Sequence, residues 1–170
     1  MRIAFYKGRD RFFNRFVSFW TVGSYSHVEA LFDATPPVQG KTLCGSSSFM
    51  DGGVRLKWIA LDPAHWDIME VPTFNGCQML KWFHDHRDAG YDLVGLLSTS
   101  SPIRQQRGKW FCNEAIGAAA GLEEPWRFNP NSFARICELL PGSKWIQGGP
   151  PQQQQKSEET RRVRVFSFPQ

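Results

Sequence analysis

The sequence predicts one α+β domain in which helices pack on an antiparallel sheet. Apolar residues recur with a period of two through most of the first half and with helical spacing through the second. A chain of 170 residues with 41% hydrophobic and 14% aromatic content has apolar material for one core. After Trp145 the composition shifts to Gly148-Gly149-Pro150-Pro151, four glutamines and the mixed-charge run KSEETRR, which cannot build a second core. The domain is therefore expected over residues 1–146, and a linker with a C-terminal docking segment over 147–170.

Ile3 to Tyr6 reads as the first strand. Phe12, Phe13, Phe16, Phe19 and Trp20 then recur at the spacing of a helix face, read first as core. Because Arg9, Arg11 and Arg15 interleave, the less favoured reading is a membrane-surface helix. Tyr25 to Phe32 and Lys41 to Ser47 form two strands around a turn at Pro36-Pro37 and Gly40. Val54 to Ile59, after the tight turn Gly52-Gly53, and Asp67 to Val71 add two more. Asn75 is placed to cap a helix that runs to Arg87 and carries Met79, Leu80, Trp82 and Phe83 on one face. Tyr91 to Leu97 is apolar, Ser98 to Pro102 breaks it, and a polar loop precedes a second, Ala-rich helix from Cys112 to Gly121. A third helix, Phe133 to Leu140, takes Asn131 or Ser132 as its cap. In the tail, Val163 to Phe168 alternates apolar and polar residues, as a strand that docks on a sheet edge of its own domain or of another subunit.

Several function classes are excluded by composition. Twenty Lys and Arg against sixteen Asp and Glu leave +4 at neutral pH, a solubility balance and not the footprint of a nucleic-acid binder. No apolar run approaches the roughly 18 to 20 residues of a membrane-spanning helix, and the charged start MRIAFYKGRDRFF is unlike a signal peptide. Cytoplasmic synthesis is the expectation. Cys44, Cys77, Cys112 and Cys137 include no CxxC pair and read as free thiols, with neither a disulfide framework nor a metal site, and no cofactor is implied.

One of the four thiols stands in a reactive setting. In Lys109-Trp110-Phe111-Cys112-Asn113-Glu114, Cys112 opens a helix, where unpaired N–H groups and the helix dipole favour a thiolate. The other three read as small buried hydrophobes. A nucleophilic thiolate needs a histidine from a distant segment. His84 and His86, two residues apart on a polar helix stretch, point to different faces and are expected in solvent, and His65 sits in a turn with no chemical setting. His27, near the start of a core strand, is the best candidate base.

In order along the chain, Ser26-His27-Val28, Gly53-Val54-Arg55, Gly90-Tyr91-Asp92-Leu93-Val94-Gly95 and Phe111-Cys112-Asn113-Glu114 resemble the motifs of the circularly permuted NlpC-type peptidases of papain-like fold, in particular the YiiX-like group, with LRAT-like acyltransferases as more distant relatives. The resemblance covers about residues 1–140. It implies a permuted papain-like α+β domain in which Cys112 attacks a carbonyl and His27 moves the proton, with Tyr91 and Asn113 lining the site. Asn113 stands where the group more often has serine. The family takes a third polar residue from the strand after the histidine, and here that strand, Thr42 to Ser47, has no Glu, Gln or His. A hairpin turning symmetrically about Pro36-Pro37 sets His27 opposite Ser46, while Glu29 lies two residues along the strand on the same face as His27. Both are candidates for the third member.

The resemblance further implies amide hydrolysis through an acyl-enzyme, with peptidoglycan stem peptides as the commonest substrate, and a place in a phage virion where the tail binds a neighbouring structural subunit. Two alternatives stay open. One is a non-catalytic virion component that has kept the fold. The other is LRAT-like lipid or acyl chemistry, for which the Phe12 to Trp20 face would meet a membrane, although membrane contact is not the favoured expectation.

Overall fold

The computed structural model describes residues 1–8, 23–32, 38–93 and 108–150. The aromatic face from Phe12 to Trp20, the Pro36-Pro37 turn, the break at Ser98 to Pro102 and the tail segment Val163 to Phe168 lie outside the described residues.

Eight strands of the described residues form one curled sheet: β1 (Arg2–Tyr6), β2 (His27–Leu31), β3 (Thr42–Ser48), β4 (Gly53–Ile59), β5 (Trp66–Glu70), β6 (Gly90–Tyr91), β7 (Lys109–Trp110) and β8 (Lys144–Gln147). Their order across the sheet is β7-β6-β4-β3-β2-β1-β5-β8. Every pairing is antiparallel except that of β6 with β7. Among the described residues three helices accompany it, α1 (Gly76–Asp85), α2 (Cys112–Ala119) and α3 (Pro130–Leu139), with a 3₁₀ turn at Pro125–Arg127. The mixed α+β class expected from the two periodicities is the observed one.

The period of two divides the sheet's side chains between two buried clusters. Ile3, Phe5, Val28, Ala30, Val54 and Met69 join Met79, Phe83, Ala115, Ile116 and Phe133 of the helices in the main core. Ala4, Leu31, Cys44, Trp66 and Ile68 form a second cluster. Two-sided burial explains the unbroken apolar runs Ile3-Ala4-Phe5 in β1 and Ala30-Leu31 in β2. It makes a carboxylate on β2 conspicuous, since Glu29 is completely buried.

The cap of α1 is as expected: Asn75 Oδ1 accepts from the N–H groups of Cys77 and Gln78 at 3.0 and 3.1 Å. The third helix starts earlier than expected. Pro130, whose fixed φ and missing N–H suit a first helical position, opens it, and Asn129 is the cap in place of Asn131 or Ser132, accepting from both of their N–H groups at 3.0 Å. The Asn131 side chain instead accepts from Tyr25 N at 2.9 Å and donates to Tyr25 O at 3.0 Å, tying α3 to the approach of β2.

Three other readings are corrected. The β2–β3 hairpin is not symmetric about Pro36-Pro37. Ala30 pairs with Gly45 and Leu31 with Cys44, a register shifted by two residues that puts Ser46 in line with Glu29 instead of His27. His86 is not a solvent histidine, because its ring stacks on Trp82 at 4.0 Å and meets Trp110 edge-on, while Nδ1 bonds Trp82 O at 2.9 Å. Cys77 is exposed, unlike the buried Cys44 and Cys137. Strand β8, at the edge of the Gly/Pro-rich stretch, is too short to announce itself by alternation. It pairs with β5, and its Trp145 stacks on Tyr25 and donates to Glu138 at 2.8 Å.

Candidate active site

The start of α2 is held from several sides. Immediately ahead of it, Trp110 O accepts from the Ser47 hydroxyl at 2.6 Å and from Asp92 N at 3.1 Å. Phe111, fully buried, is the N-cap but has no polar side chain to cap with, so Glu114 reaches back and accepts from Phe111 N at 3.2 Å. Asn113, also fully buried, donates from Nδ2 to Phe128 O at 2.5 Å, and its Oδ1 lies 3.7 Å from Cys112 Sγ. Ala115 and Ile116 anchor the helix in the core. Cys112 is thereby placed at the first helical position, where the N–H groups of the opening turn have no acceptor within the helix.

The helix packs on β2 and β3 where those strands stop pairing. Their ladder comprises Ala30↔Gly45 and Leu31↔Cys44, and toward His27 the Ser46 hydroxyl donates to Val28 O at 2.6 Å in place of a backbone donor. Across this parting the Cys112 thiol and the His27 ring come close enough that the sulfur bears on the protonation of the ring. Ring nitrogen Nε2 is engaged with Glu29 Oε1 at 2.7 Å, which leaves Nδ1 for the sulfur. The edge of Trp66 lies against the imidazole at 6.4 Å between centroids.

Behind the histidine the charges continue. Arg55 grips Glu29 with two parallel bonds, Nη1 to Oε2 at 2.7 Å and Nη2 to Oε1 at 2.5 Å. Its Nε donates to Asp51 Oδ2 at 2.9 Å, and Lys57 donates to Asp51 Oδ1 at 2.8 Å. Burial alone would disfavour the charged forms of His27 and Glu29, and their partners outweigh it. Hydrogen bonds to Cys112 and Glu29, with the charge of Glu29, raise the His27 pKa from 6.5 to about 9. Arg55 and His27 lower the Glu29 carboxyl from 4.5 to about 2. The imidazole therefore keeps its proton at neutral pH beside the sulfur.

Of the two candidates for a partner to His27, the structure brings Glu29 to the ring, whereas the Ser46 hydroxyl is spent on Val28 O. Tyr91 lies at the same place. It packs with Phe111, and burial together with the charges of Cys112, Asp92 and Glu114 pushes its hydroxyl well above its ordinary value. Phe49, from the β3–β4 turn, meets the Tyr91 ring edge-on at 5.7 Å. Phe49 is 47% and its neighbour Met50 67% exposed, so the rim on this side is apolar. Beneath it Glu114 is held up at about 8 by burial and by Asp92, against the opposing bond from Phe111 N.

Arg55 is legible in the sequence only as part of a motif, with no role attached. The signal that could have found it is the register, since Ser46 pairs with Arg55 on one side and stands in line with Glu29 on the other. Glu114 is likewise legible only as the end of the Phe111-Cys112-Asn113-Glu114 motif, and Asp51 goes unmarked, because nothing in a first-turn glutamate or a turn aspartate distinguishes a site from a cap. Among the described residues no group of three or more His, Cys, Asp or Glu is placed to hold a metal ion, and no helix is long and apolar enough to cross a membrane. Comparison with protein-family models, with curated proteins and with solved structures finds no match for this chain.

Proposed function

We propose that this chain is a cysteine hydrolase of permuted papain-like fold that cleaves amide bonds through an acyl-enzyme, with peptidoglycan stem peptides as substrate and a phage particle as its setting. One observation carries the reading: a helix-start cysteine set beside a histidine that is itself held by a buried carboxylate, with Cys112, His27 and Glu29 coming from two distant segments. This is the nucleophile, base and orienting group that acyl transfer needs.

The Cys112 thiolate attacks the carbonyl carbon and forms the C–S bond, while the oxygen takes the negative charge among the N–H groups of the α2 first turn. Collapse of this adduct breaks the C–N bond, and the departing amine takes the proton from His27 Nδ1. His27 then removes a proton from water, whose oxygen attacks the thioester, releasing the carboxylic acid and restoring the sulfur. Glu29 keeps the ring oriented throughout, as imidazolium and, in the acyl-enzyme, as neutral imidazole. The presence of such a carboxylate favours the catalytic reading over a purely structural virion component.

A second reading draws on the exposed Phe49 and Met50 beside Tyr91, which suit an apolar acyl group and hence the lipid or acyl-thioester chemistry of the LRAT-like relatives. Incubating the protein with stem-peptide fragments and separately with phospholipid, followed by mass analysis of the products, separates the two. New peptide termini that depend on Cys112 are expected, and release of fatty acid alone would favour the second reading. Turnover that survives Cys112→Ala would overturn both.

A further inference from the structure

The network behind the histidine extends past the residue that touches it. Glu29 is fully buried, and each of its oxygens is engaged: Oε1 by His27 and Arg55, Oε2 by Arg55. A carboxylate with one bond to the ring could rotate about its own axis and carry the ring with it. The guanidinium fork removes that freedom because it is planar and binds both oxygens at once. Arg55 is fixed in turn by Asp51, at the surface turn between β3 and β4, and Asp51 also holds Lys57.

We infer that Arg55 is a positioning residue of the site: its two-point grip on Glu29, braced by Asp51, sets the plane of the carboxylate and through it the orientation of the His27 ring. The inference rests on the hydrolase reading for its consequence in turnover, but its physical content is testable without substrate. With Arg55 replaced, burial of Glu29 is countered by His27 alone and its carboxyl takes up a proton at higher pH. A protonated Glu29 gives His27 a weaker acceptor and leaves the Cys112 sulfur without a fixed cation in mildly acid solution.

The test is a carbon-13 NMR titration of the Glu29 carboxyl, assigned by its loss in Glu29→Gln, together with the rate of Cys112 alkylation by iodoacetamide between about pH 4 and 8. In Arg55→Gln the carboxyl is expected to titrate at least about one pH unit higher than in the wild type, a tenfold gain in proton affinity, and alkylation near pH 5 to fall about tenfold. Arg55→Lys, which keeps the charge and loses the fork, should hold the titration close to wild type yet slow turnover. A folded Arg55→Gln with unchanged titration and alkylation profiles overturns the inference. Should that variant not fold, Asp51→Asn, at a partly exposed turn position, is expected to shift both profiles in the same direction by a smaller amount, and no shift there overturns it equally. A wild type that hydrolyses none of the substrates but shows these shifts sinks the hydrolase reading and leaves the role of Arg55 standing.

Discussion

Glu29 decides how His27 behaves. A strand histidine beside a thiol is commonplace, and one whose far nitrogen is held by a buried, arginine-bound carboxylate has an orientation and a charge. Cys112→Ala should abolish hydrolysis while moving stability by no more than about 1 kcal/mol, since alanine suits a first helical turn and the thiol is a small group. Product analysis and a urea melt check the two halves of this. For Glu29→Gln the expectation is different. It leaves the largely buried Arg55 charge with Asp51 as its partner and without its two-point grip, so stability should drop by about 2 to 3 kcal/mol and turnover with it, and the His27 pKa should fall from about 9 toward its ordinary value. A proton NMR titration of the ring reads the last effect, and an unmoved His27 would mean that Glu29 is not its partner.

At the scale of elements, the site is a helix start set over two strands that part. Gly53 shows how tightly this is built. It opens β4 at φ +152°, and a Cβ there would stand 1.9 Å from Ala89 O, in the backbone that leads into β6 and Tyr91. Gly53→Ala should therefore cost about 2 kcal/mol or more, and should disturb turnover without touching a catalytic group. A variant that melts and turns over like the wild type would refute this. The α2 cap makes a pH-dependent prediction. Because the folded pKa of Glu114 is raised from 4.5 to about 8, its contribution is complete below pH 4.5 and is lost as pH rises through 8. Glu114→Gln keeps an acceptor for Phe111 N and has no proton to lose, so its melting temperature should decline less than that of the wild type between about pH 5 and 8.

For the whole molecule these groups add. His27, raised from 6.5 to about 9, contributes stability that is present below pH 6.5 and lost through pH 9, in the same direction as Glu114. Glu29 and Asp51, both lowered to about 2, contribute stability present above their ordinary values and lost as pH falls toward 2. Thermal melts across pH should thus show a maximum near about pH 5, on the acid side of neutral. The tail is tested separately. Among the described residues the members of both buried clusters lie within residues 1–145, and Gly148 and Gly149 come up against Asp67 and Trp145. Removal of residues 151–170 should leave a folded domain that melts within a few degrees of the full chain and no longer joins a larger assembly. A truncated chain that aggregates would mean that the tail belongs to the core.

Much of this was legible in the sequence, because local chemistry carries it. Period-two and helical apolar patterns, the Asn75 cap and a cysteine at a helix start need no knowledge of distant residues, and neither does the placing of Glu29 on the face of His27, which follows from the alternation of a strand. What the tertiary structure alone decided depends on register and burial. A shift of two residues in the β2–β3 pairing sends Ser46 to a backbone carbonyl and brings Arg55 into line with Glu29. Burial turns a strand glutamate into a fixed charge and a cap glutamate into an acid that holds its proton at neutral pH. Pairing register is settled by the packing of the whole sheet, and a charge is felt at full strength only where neighbouring elements have excluded water, so neither can be read from a single segment.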